Sequence, residues 1–168
     1  MTRKEEHVQH CKAIAKRLEQ IVNSELYRDE DGNEWEWYDE EDNGTIIACT
    51  YEYTIEDGET VKHIVNAYSD DDGETWTRGD NGETVELEPI EFWSEFEGGI
   101  YNLEYRVSGR DEDPSSVQVM IAYGGPNIYL DTKSGDVELY WWSESGNYPM
   151  TREVIDALDE YFTELYNC

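Results

Sequence analysis

Three residues near the start of the chain, His7, His10 and Cys11, fall at i, i+3 and i+4, a spacing that allows zinc ligands on one helical face. A fourth ligand is not evident, and Cys11 also sits on an apolar stripe, where a small buried thiol is the ordinary outcome. The run Asp29-x-Asp31-Gly32-Asn33 is rich in calcium-ligand chemistry. An EF-hand needs its Gly at the sixth loop position and a bidentate Glu at the twelfth. Counted from Asp29, the Gly falls fourth and Glu40 stands twelfth, so a solvated turn is expected there. No metal and no other cofactor is expected. Forty-one Asp and Glu supply carboxylate pairs of the kind hydrolases use, but at that abundance such pairs arise by chance. The chain lacks G-x-S-x-G, a P-loop and H-E-x-x-H, and His63 has no local nucleophile motif beside it. It is expected not to be an enzyme, with carboxylate hydrolysis kept as an alternative.

The segment Ser69-Asp70-Asp71-Asp72-Gly73-Glu74-Thr75-Trp76 matches S-x-D-x-G-x-T-W at every fixed position. It resembles the Asp-box hairpin of sialidases and other β proteins. The resemblance implies a structural role: Asp71 bonds the turn backbone, Gly73 supplies the special dihedral, and Trp76 packs beneath, with Ser69 and Thr75 completing the hairpin. One copy in 168 residues does not build a sialidase propeller.

Positioning these residues falls to elements that the hydrophobic periodicity defines. From Thr2 to about Tyr27, Val8, Cys11, Ile14, Ala15, Leu18, Ile21, Val22 and Leu26 recur every three or four positions, predicting a helix over 3–27. Thr151 is placed to cap a second helix over 151–166, with Val154, Ile155, Leu158, Tyr161, Phe162 and Leu165 as its stripe. Between them the period is two. Strands are expected at 33–38, 45–55, 60–69, 75–78, 83–88, 99–108, 116–124, 127–132 and 137–142, joined by turns rich in Gly, Asn and Asp. Pro89–Gly99, with Ile90, Phe92, Trp93 and Phe96, is expected to form a helical turn joining two sheet halves. The fold class is therefore α+β, a mainly antiparallel meander over 33–142 packed against N- and C-terminal helices. A single domain over 1–168 is expected, because one core suffices at this size. Tyr101, Leu103, Tyr105, Val107, Val117, Val119 and Ile121 are expected to face inward under the second helix.

Six Trp and thirteen Tyr make 13% aromatic content together with Phe, so a chain that is 38% hydrophobic still has enough bulk to pack. Cys11, Cys49 and Cys168 are odd in number and fit neither a disulfide scaffold nor a CxxC site; they read as reduced thiols. The opening MTRKEEHVQH has no apolar export segment, and nowhere do 18 apolar residues run together, so a cytoplasmic location away from membranes is expected.

The formal charge is -29, while residues 1–28 carry net +2, so the acidity belongs to the body of the chain. Same-face residues of a strand lie about 6.6 to 6.8 Å apart, and DNA carries a phosphate every ~3.4 Å on each strand, so adjacent acidic hairpins approach a phosphate-like density. The expected contributors to one contiguous acidic face are Asp39, Glu40, Glu41, Asp42, Asp70, Asp72, Glu74, Asp80 and Glu83. The reading that follows is a DNA mimic: a non-enzymatic inhibitor occluding a basic nucleic-acid-binding protein without touching nucleic acid itself. An acidic module for another basic protein, a halophilic surface and an ordinary solvated surface share most of these observations. The stretches Tyr123–Thr132, Val137–Trp142 and Ile155–Leu165 make residues 99–168 similar to small acidic proteins of phages and mobile elements of Gram-positive bacteria. That resemblance implies an anti-CRISPR or anti-restriction role in the bacterial host cell, with a CRISPR effector or a restriction enzyme as partner. Tyr27–Glu41 has no Cys, so no zinc role is implied with it.

Overall fold

The computed structural model describes residues 2–41, 43–110 and 112–168. The chain is α+β, with antiparallel meanders between an N-terminal and a C-terminal helix. It divides into two compact units, Met1–Asn23 with Glu91–Cys168, and Ser24–Ile90. Each has its own sheet and its own buried cluster, in place of the single core and single sheet expected. Alternation marks which segments are strands, but it carries no information on which strands pair.

In the first unit, α1 spans Arg3–Val22 and starts at a capping box: the Thr2 hydroxyl accepts from the Glu5 backbone, and the Glu5 carboxylate accepts from the Thr2 backbone. The expected helix to residue 27 ends early. Asn23 caps it and Ser24 takes φ 58°, a conformation that a helix cannot continue through. A 3-10 turn at Phe92–Phe96 stands where a helical turn was expected. The five-stranded sheet runs β12-β11-β10-β9-β8, from β8 (Asn102–Arg106), β9 (Ser116–Ala122), β10 (Asn127–Asp131), β11 (Asp136–Trp141) and β12 (Glu144–Pro149), and α2 spans Arg152–Tyr166. Alternate residues Val117, Val119, Ile128, Leu130, Val137 and Leu139 are buried in one cluster with Cys11, Ala15 and Leu18 of α1 and Val154, Leu158 and Phe162 of α2. Leu103, Tyr105 and Ile121 pack at its margin. Tyr101 and Val107 do not: both are exposed, because β8 is shorter than the expected 99–108 and they lie beyond its ends. Thr151 holds the N-cap position of α2, yet its hydroxyl makes no capping bond; only its carbonyl does, accepting from the Ile155 backbone. Across the sheet, Arg106 donates to both carboxylate oxygens of buried Asp131 at 2.9 and 2.8 Å.

β12 has no expected counterpart. Its sequence ESGNYP contains Gly, Asn and Pro and no β-branched residue, a composition that strands avoid. It is an edge strand, where Pro is tolerated. Gly146 lets α1 lie against it: a Cβ there would fall 2.8 Å from the His7 Cβ and 2.9 Å from the helix backbone.

In the second unit the strands are β1 (Leu26–Asp29), β2 (Glu34–Glu40), β3 (Ile46–Glu56), β4 (Glu59–Ser69), β5 (Trp76–Arg78), β6 (Thr84–Val85) and β7 (Leu87–Pro89). The sheet order is β6-β5-β4-β3-β2-β1-β7. Its two edge strands are separated in the chain by Glu86 alone, so the sheet curls until its edges meet in one continuous segment. The result is a small barrel whose interior side chains fill it. Trp35 and Trp76 are the largest of these, packed with Tyr27, Ala48, Val65, Ala67 and Leu87. No helix among the described residues of the chain is long and apolar enough to cross a membrane.

Candidate functional site

The Asp-box segment forms the β4–β5 hairpin, and each fixed residue has a definite task. The Asp71 carboxylate accepts from the Thr75 backbone at 2.8 Å, from the Thr75 hydroxyl, and from the Ser69 hydroxyl at 2.8 Å. Gly73 takes φ 84° and donates its N–H to the Ser69 hydroxyl, while the Trp76 indole donates to the Gly73 carbonyl at 3.0 Å and its ring fills the barrel. The bonds from Thr75, then that from Ser69, stabilise the ionised carboxylate and lower the Asp71 pKa to about 2.

The ligand-rich run at Asp29 is a second staple of the same kind, with its Gly and its Trp each one residue further along than in the Asp-box segment. Asp29 accepts from the backbones of Asn33 at 2.8 Å and Asp31 at 3.1 Å, and from the Trp35 indole at 3.0 Å, while Gly32 takes φ 85°. Burial opposes ionisation of Asp29, but the bonds from Trp35 and Asn33 outweigh it and hold the pKa below the usual carboxylate range. Both buried Trp side chains are thus tied to an Asp–Gly turn.

The His7, His10, Cys11 set does not converge. Cys11 is fully buried with Sγ 3.6 Å from the Gly146 carbonyl, and burial pushes its thiol up to about 11, whereas His10 is exposed and His7 faces Glu144 at 3.4 Å. Among the described residues no group of three or more His, Cys, Asp or Glu is placed to hold a metal ion. His63 is half-buried on β4, with Thr54 Oγ1 at 2.8 Å and Glu56 Oε1 at 3.1 Å. Both contacts fall on the same ring nitrogen, Nε2, whereas a nucleophile–base–orienter relay uses the two nitrogens separately.

The expected acidic face separates into two. Turns of an antiparallel meander alternate between its ends, so the β2–β3 and β4–β5 turns share one end of the barrel and the β1–β2, β3–β4 and β5–β6 turns share the other. Asp39, Glu40, Glu41, Asp70, Asp72 and Glu74 gather at the first end, where the Thr45 hydroxyl donates to Asp70 and joins the two turns. Asp80 and Glu83, expected beside them, stand at the opposite end, roughly five residues of strand or about 17 Å away. All eight are exposed, and Asp42 lies outside the described residues. At the second end a cleft of about 540 Å³ opens over Trp35, lined by the carboxylates of Asp29, Glu30, Asp31, Glu52, Glu83 and Glu86 and by one cation, Arg78. Arg78 donates to Asp80 at 3.0 and 2.7 Å and to Glu52 at 2.9 Å. Those six carboxylates were not grouped by spacing, because β1, β3 and β6 bring them together from distant segments.

Asp29, Asp71, Asp80 and Asp131 all have pKa values lowered from the ordinary carboxylate value. That direction favours fixed negative charge and is opposite to what a general acid needs. Compared with protein-family models, with curated proteins and with solved structures, the chain matches none.

Proposed function

We propose that the protein is a non-enzymatic acidic inhibitor that presents a DNA-like field to a basic nucleic-acid-binding protein of a bacterial defence system, a CRISPR effector or a restriction enzyme, in the host cytoplasm. The observation that carries this reading is the concentration of charge: residues 24–90 hold 22 acidic against three basic side chains, net -19 of the total -29, on a barrel only 67 residues long. Many of these carboxylates stand on short turns whose two ends are held by paired strands, which limits how far the charges can move. A basic groove that accepts such a surface releases its counterions as it does on DNA. Steric occlusion then needs no chemistry.

The acidic cleft favours a second reading, a module for a basic partner that inserts a Lys or Arg side chain among the carboxylates over Trp35 without any likeness to DNA. One experiment separates the two. Labelled duplex DNA is bound to a purified Cas9-type nuclease and to a type I restriction enzyme, and the protein is titrated in at low and at physiological salt. Displacement of DNA from at least one of them, weakening as salt rises, is the expected result. Binding that leaves the DNA in place points to the second reading, and the absence of binding to either removes support from both.

A further inference from the structure

The hairpin β3–β4 carries a face that differs from the rest of this acidic chain. Residues opposite one another in register share a face, and on one side these are Tyr51 with Ile64, Tyr53 with Lys62 and Ile55 with Thr60. Towards the barrel the same face continues through Cys49 with Asn66 and Ile47 with Tyr68. None of these ten side chains is a carboxylate, in a chain with 41 of them. The opposite face of the same hairpin has Glu52 with His63 and Glu56 with Glu59. Tyr53, Ile55 and Ile64 are 65%, 79% and 66% exposed. Contiguous exposed apolar surface of this kind marks an interaction site.

We infer that this face is the anchoring surface for the basic partner, resting on the acidic-inhibitor reading, with the partner's Arg side chains seated on the tyrosines. Charge complementarity selects that occupant. The strip is bordered on β2 by Glu36, opposite Cys49, and by Asp39, opposite Ile47, so a surface that meets the strip also meets negative charge. A second copy would bring another -29 against it. The rings are suited to cations: Lys62 Nζ lies 3.6 Å from the centroid of Tyr51, and Tyr53 stands directly across from Lys62. Arg on Tyr combines stacking with cation–π attraction, and Tyr and Arg are both enriched among interface hot-spot residues. The carboxylates steer the partner in, and the β3–β4 face holds it.

Nona-arginine and nona-lysine peptides, equal in charge, test this by fluorescence anisotropy at physiological salt. The wild type is expected to bind nona-arginine several-fold more tightly than nona-lysine. The variant Tyr53→Ser, Ile55→Ser, Ile64→Thr is expected to lose that preference and about tenfold in nona-arginine affinity while keeping the salt dependence. Tyr53→Ser alone serves as the second variant should the triple one melt early. An unchanged preference in either folded variant overturns the inference, as does a wild type without preference, or a wild-type dimer in sedimentation that the substitutions dissociate. Failure of DNA displacement with the peptide preference intact would instead overturn the DNA-mimic reading and leave the anchoring face standing.

Discussion

Asp71 and Asp29 do the same work at two turns, each holding a buried Trp through a short loop with a left-handed Gly. For Asp71 the linkage has a clear sign. Its folded pKa of about 2 lies below the ordinary 3.8, so its contribution to stability is fully present above about pH 4 and is lost as pH falls towards 2. Asp71→Asn keeps the size of the side chain but removes the charge and half its acceptors. Thermal melting followed by Trp fluorescence is expected to show a loss of several degrees at pH 7 that narrows as the pH approaches 2. An equal loss at both pH values would mean that ionisation plays no part. The Asp71 staple is legible in the sequence because every fixed Asp-box position is filled; the Asp29 staple is not, since its Trp lies one residue further on and the acidic run invites a calcium reading.

At the scale of elements, the close approach of α1 to β12 depends on Gly146, where an added Cβ meets helix backbone that has no side-chain freedom to yield. Gly146→Ala is expected to destabilise the Met1–Asn23, Glu91–Cys168 unit by about 1–3 kcal/mol in urea denaturation, as overpacking does. A neutral result would show that the helix can shift away freely. β12 is the strand that composition hides, and β1 is hidden differently. Leu26 continues the three-four spacing of α1 perfectly, so only the dihedral of Ser24 tells helix from strand. The strands rich in Val, Ile and Tyr are legible to within a few residues, because their alternation is that of a half-buried pleat.

For the whole molecule, alternation and charge were visible in the sequence, but the division into two cores and the closure of the barrel were not. Both depend on which edges pair, and the closing segment β6–β7 is so short that its apolar content is only Val85, Leu87 and Pro89. The same topology decides the charge map, sending Asp80 and Glu83 to the end opposite Asp72 and Glu74. The charge-presenting role is tested most directly by neutralising one end alone with Asp39→Asn, Glu40→Gln, Glu41→Gln, Asp72→Asn and Glu74→Gln. Asp70 and Asp71 are left intact because Thr45, Ser69 and Thr75 bond to them. The affinity of this variant is measured at physiological salt against the nucleic-acid-binding protein that the wild type displaces from DNA. A loss of about tenfold or more, with a shallower salt dependence and a melting temperature unchanged or raised, is the predicted result. Equal affinity in a folded variant would contradict the account.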